Sequence, residues 1–150
     1  MALTFKLNKT NKMEIKQTFT IDCNTWRCGD NGKYKLGEGN TALLNDEGFM
    51  CCLGQVALQL DVHEADLLGV GEPEGVESDT ILGLLVTNEW DEDSENDIKH
   101  NTVLSSEAMG INDNGNTTIE TKINDLKELF KADGYGLEFI NIPADVKQQQ

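Results

Sequence analysis

Thr117-Thr118-Ile119-Glu120-Thr121-Lys122-Ile123-Asn124-Asp125-Leu126-Lys127-Glu128-Leu129-Phe130-Lys131-Ala132-Asp133-Gly134 runs straight into Tyr135-Gly136-Leu137-Glu138-Phe139-Ile140-Asn141-Ile142. The hydrophobic period changes inside this stretch. Ile119, Ile123, Leu126 and Phe130 share one face of a helix, Thr117 and Glu120 have capping-box spacing, and Gly134 supplies a stop. Leu137, Phe139, Ile140 and Ile142 then read as a closing strand before Pro143. A helix that hands over to a strand points to mixed architecture.

Working back towards the N-terminus, Asn112-Asp113-Asn114-Gly115 reads as a turn, and Ile81-Leu82-Gly83-Leu84-Leu85-Val86 as a short apolar run, helix or strand. Leu53, Val56, Ala57 and Leu60 fall at helical spacing, and a second short helix spans about His63 to Leu68, stopped by Gly69. Thr41-Ala42-Leu43-Leu44 reads as a short strand. Ile15, Phe19 and Ile21 alternate with polar residues, the pattern of a half-buried strand. The expectation is a single α+β domain over residues 13–143, a small, mainly antiparallel sheet with two or three packed helices. Residues 1–12 read as a flexible extension and residues 144–150 as a flexible tail.

Charge narrows the partners. The chain has 150 residues and a formal net charge of -15, and its middle third, residues 51–100, carries one Lys against thirteen Asp and Glu. Such a field repels phosphate backbones and anionic headgroups, so direct nucleic-acid and membrane partners are not expected. No apolar run approaches the roughly 18 residues of a bilayer span, and the first residues lack a secretory apolar block. The expected compartment is the cytosol. Asp91, Glu92, Asp93 and Glu95 lie in an acidic run that lacks the glycine and closing glutamate of an EF-hand loop. They read as a solvated face, and as candidates for contacting a basic partner.

Cys23, Cys28, Cys51 and Cys52 are the four cysteines. Adjacent Cys51 and Cys52 point about 100° apart on a helix, a poor second hook for zinc, so neither metal nor cofactor is expected. Their commoner role in a reducing compartment is that of small buried hydrophobes. The sharper alternative is a nucleophile. A thiol in the first turn of a helix can be stabilised as thiolate, and a hydrolase or transferase could use Cys51 or Cys52 with His100 as base and Asp113 or Asn112 to orient it. Trp26 beside Arg27 is the candidate ligand site, a platform on which a purine or nicotinamide ring could stack.

Three blocks stand out together: Trp26-Arg27-x-Gly29 with Ala42-Leu43-Leu44, then Gly48-Phe49-Met50-Cys51-Cys52-Leu53-Gly54, then Ile111-Asn112-Asp113 leading to Leu129-Phe130. In this order they resemble a family of small proteins encoded by tailed phages and prophages, which share a Cys-Cys-Leu-Gly core and a downstream Asn-Asp element. Gln55 departs from the aromatic or aliphatic residue that often follows Leu-Gly there. The resemblance implies an accessory role inside the infected bacterium, in the host cytosol, and brings no reaction with it. The functional expectation is therefore binding: a small acidic factor that sequesters or inhibits a host protein, a defence protein among them, or a host-made small molecule. The alternatives are the cysteine-dependent enzyme and an acidic mimic of nucleic acid that occupies a basic host surface.

Overall fold

The computed structural model describes residues 15, 17–30, 34–71, 89–90, 98–99 and 102–148. Its elements run β1 (Gln17–Asp22), α1 (Cys52–Gln59), α2 (Glu64–Leu67), β2 (Glu89–Trp90), β3 (Ile98–Lys99), α3 (Thr102–Asp113), α4 (Ile119–Ala132), β4 (Tyr135–Ile140) and a 3-10 turn, Ala144–Gln148. The expected extension over residues 1–12 and the apolar run 81–86 fall outside the described residues. The loose tail expected from residue 144 instead begins with that 3-10 turn, and Val146 is buried in the core.

Helix α4 forms for the reasons its sequence carries. Ile119, Ile123, Leu126 and Phe130 are all buried. The cap sits one residue later than the box spacing places it: Thr118 accepts from the Thr121 backbone N–H at 3.0 Å. Thr117 serves Lys122 instead, whose Nζ donates to the Thr117 carbonyl at 2.7 Å and hydroxyl at 2.9 Å. Gly134, at φ +89°, then turns the chain back along the helix into β4.

The α+β class stands, but the antiparallel sheet does not. β4 pairs with β1 in parallel, from Gln17 opposite Tyr135 to Asp22 opposite Ile140. The two strands are joined through all the helices. A connection of that length delivers the last strand in either direction, whereas a short hairpin would impose the antiparallel one. The other ladder among the described residues is the two-residue antiparallel pair of β2 and β3. Residues 41–44 do not form a strand. Leu44 makes an isolated bridge with Leu68, and the Leu43 N–H donates to the Val70 carbonyl at 2.8 Å.

β1 has its second edge covered by side chains. Gln59 accepts from the Thr20 N–H at 2.9 Å and donates to the Thr20 carbonyl at 2.8 Å. Gln55 does the same with Asp22, at 2.8 and 3.1 Å. Four helical residues rise about 6.0 Å and two strand residues about 6.6 Å, so two amides at i and i+4 on α1 match backbone groups at i and i+2 on β1. The glutamines stand in for a third strand. Gln55 thereby acquires a role that an aliphatic residue could not fill. The approach is close on the other face too: a Cβ on Gly54 would lie 1.8 Å from the Leu43 carbonyl oxygen.

Candidate functional site

Asn112 lies near the C-terminal end of α3, fully buried, and joins three segments. Its Oδ1 accepts from the Trp26 indole N–H at 2.7 Å and from the Cys52 backbone N–H at 3.1 Å. Its Nδ2 donates to the Arg27 carbonyl at 3.0 Å and to the Asp113 carboxylate at 2.8 Å. Its own carbonyl accepts from the Gly29 N–H at 2.6 Å. All four side-chain hydrogen-bonding positions of the amide are thus engaged in a buried setting, where an unmatched group is costly. Asn112 and Asp113 are helical rather than the turn that their sequence suggested.

Trp26 is not a stacking platform. Its ring is fully buried, lies 5.2 Å from Phe139 at a 53° tilt, and spends its N–H on Asn112. Arg27, one residue on, goes the other way. It too is buried, with only 3% of its surface exposed, yet it lines a cavity of about 670 Å³. Nε donates to the Gly39 carbonyl at 2.7 Å, and Nη1 to the carbonyls of Cys28 and Gly29 at 2.7 and 3.0 Å. Nη2 has no protein acceptor among the described residues, and no carboxylate there lies within ion-pairing distance of the guanidinium. The guanidinium is held by neutral carbonyls alone and has no directly paired carboxylate, although it acts through space on Asp113 across the cavity.

The cavity is assembled from loops that the fold holds firmly. Asp30 and Lys35 line one side, and Gly39, Asn40 and Thr41 another. That second wall is fixed by buried Asn45, whose Nδ2 donates to the carbonyls of Glu38 and Asn40 at 2.7 and 2.8 Å. The Asn45 Oδ1 accepts the Glu47 and Phe49 N–H groups at 2.9 and 3.0 Å. Gly29, at φ +80° with the Tyr34 carbonyl 2.2 Å from where a Cβ would sit, permits the tight path beside Arg27. Asp113 closes the cavity. Desolvation by the surrounding packing pushes its carboxyl up, against the opposing hydrogen bond from Asn112 and the charge of Arg27.

The thiol arrangement offers little to nucleophilic chemistry. All four cysteines are free and buried. Desolvation first of all pushes Cys51 up to about 11, Cys28 up to about 12 and Cys52 well above the ordinary thiol value. The first-turn N–H groups of Leu53 and Gly54 do favour the Cys51 thiolate, but desolvation outweighs them, and the Cys52 N–H is given to Asn112. The space beside Cys51 is about 10 Å³, room for one water at most. His63 is exposed before α2 and shares no hydrogen bond with either thiol among the described residues. His100, Asp91, Glu92, Asp93 and Glu95 lie outside the described residues, as does the Trp90 side chain. No group of three metal-ligating side chains occurs among the described residues, and no helix there is long and apolar enough to cross a membrane.

Of the residues singled out in the sequence, Arg27 and Asp113 meet in one cavity, while Trp26, Cys51 and Cys52 join the core. Asp30, Lys35 and Thr41 were not foreseen. They sit in glycine-flanked loops without periodicity, and only their nearness in sequence to Arg27 hints at a shared site. Comparison with known protein families, curated proteins and solved structures finds no match to this chain.

Proposed function

We propose that this is a binding protein that holds a small polar molecule in the Arg27 cleft. The role suggested by its resemblance to phage proteins is sequestration of a host-made metabolite. The observation that carries the reading is the buried Arg27 guanidinium, with no directly paired carboxylate and with Nη2 unengaged among the described residues, on a cavity of about 670 Å³. Small-molecule sites fall at roughly 300–1,000 Å³ and combine preformed walls with a few polar groups. The walls here are preformed by Asn45 and Asn112. An anionic group of the ligand supplies the direct ion pair that the guanidinium lacks, through a charge-assisted hydrogen bond. The cysteine-dependent enzyme fits less well, because it needs an accessible thiolate and a base beside it. Binding to a basic host surface, including nucleic-acid mimicry, rests on the acidic middle of the sequence.

Native mass spectrometry of the full chain after incubation with a small-molecule extract of bacteria tests the reading. The expected result is a non-covalent adduct that is lost in Arg27→Gln and weakened in Lys35→Gln, whose side chain is half-buried at the cavity. No adduct, together with salt-sensitive capture of a host protein, would move the function to the acidic middle.

A further inference from the structure

We propose that the Arg27 cleft takes a small zwitterion, a short peptide or amino-acid conjugate with a free carboxylate and a free ammonium group; this rests on the reading of the cleft as the ligand site. Four charged side chains line it, Arg27 and Lys35 against Asp30 and Asp113. The two signs balance here, in a chain whose formal net charge is -15. Among the described residues none of the four is ion-paired to another: Arg27 donates to three carbonyls, and Asp113 accepts from Asn112. Opposite charges that share a cleft without touching are left to find partners in whatever enters it.

Other ligand classes meet only part of this lining. A simple anion satisfies Arg27 and Lys35 but brings like charge towards Asp30 and Asp113. A phosphate monoester, with about -1.5 to -2 charge near neutral pH, worsens that imbalance. A simple cation leaves the buried guanidinium without a counter-ion. A carboxylate set against Arg27 with an ammonium set against the aspartates answers both signs. The Thr41 hydroxyl, which makes no hydrogen bond among the described residues, and the backbone of Gly39 and Asn40 add neutral polar surface suited to amides. At about 670 Å³ the cavity exceeds what one amino acid fills, which favours a peptide or a conjugate.

Isothermal titration of the full chain with a panel of di- and tripeptides tests this. The same peptides are also titrated N-acetylated and C-amidated, and inorganic phosphate is titrated alone. Blocking either end should weaken binding at least about tenfold, the scale of one lost charge-assisted hydrogen bond. Asp30→Asn should narrow the gap between free and N-acetylated peptides, and Lys35→Gln that between free and C-amidated ones. Both side chains lie at the cavity and outside the core cluster, so circular dichroism should show the fold retained. If N-acetylated peptides or phosphate bind as tightly as free peptides, the site is for anions: the zwitterion inference falls while the cleft keeps its ligand role. If C-amidated peptides match the free ones, the inference falls likewise. If no probe binds, it falls outright, and the adduct experiment decides whether the cleft reading falls with it.

Discussion

Replacing Asn112 with alanine should be among the most damaging single changes that this core can suffer. The substitution removes the acceptor of two buried donors, the Trp26 indole N–H and the Cys52 backbone N–H, and the donor to the Arg27 carbonyl. A buried polar group left without a partner costs about 1–3 kcal/mol, so the two stranded donors alone predict a loss of about 2–6 kcal/mol. Domains of this kind have only about 5–15 kcal/mol in total. Urea unfolding followed by far-ultraviolet circular dichroism measures the loss, provided the slope stays constant. Asn112→Asp is nearly isosteric but should be no milder, because it sets an oxygen against the Arg27 carbonyl and the Asp113 carboxylate. The cycle with Trp26→Phe isolates the mechanism. Phe has no N–H to strand, so in that background Asn112→Ala should cost about 1–3 kcal/mol less than in the wild type. A loss below about 1 kcal/mol for Asn112→Ala, or additivity within about 0.5 kcal/mol in the cycle, would refute the hub.

The buried thiols predict alkaline instability. Their folded values are raised, so the stability they contribute is intact below about 9 and is lost as pH climbs towards 11–12. Each thiol costs about 1.4 kcal/mol per pH unit in that window, so Cys23, Cys28, Cys51 and Cys52 together cost about 5 kcal/mol per unit, and Lys122, lowered by desolvation, offsets part as one group against four. A urea midpoint that stays flat from pH 8 to 10.5 would contradict this. Gly54→Ala should destabilise by about 3 kcal/mol or more, read as a lower urea midpoint, because its Cβ meets the Leu43 backbone rather than a side chain that can swing away. Phe130→Ala should cost about 3–5 kcal/mol, and an unchanged midpoint would mean that the α4 stripe does not carry the core.

The sequence makes α4 and β4 legible because their apolar residues are strictly periodic and their borders carry turn chemistry. α3 was missed for the opposite reason. Its buried face includes Ser105 and Asn112 beside Leu104 and Ala108, so polar residues interrupt the stripe that a hydrophobic reading follows. The direction of β4 is not encoded in its alternation, which is the same whichever way a strand enters. Gln55 and Gln59 look like solvent-facing helix residues, and their strand-like pairing depends on where β1 lies in space. The sequence marks Trp26 and Arg27 together as a ligand platform, but consecutive residues on extended backbone point to opposite sides. One was bound to be core when the other reached the cleft.

The first turn of α1 has the chemistry that suggested a nucleophile, and the structure uses it for packing. A cysteine needs three things to attack: exposure, a stabilised thiolate and a base. Here Cys52 is fully buried, its backbone N–H is given to Asn112, and its thiol is raised rather than lowered. The same asparagine, through Nδ2, fixes the Arg27 carbonyl and the Asp113 carboxylate. The core and the cleft therefore share one polar hub. A lesion at Asn112 should weaken both stability and ligand capture, whereas Asp30→Asn and Lys35→Gln touch the cleft alone. A conservative Cys52→Ser should act through the core, at the roughly 1–3 kcal/mol of ordinary buried substitutions, and leave capture intact while the chain remains folded. Loss of function in a folded Cys52→Ser protein would return the thiol to the centre of the mechanism.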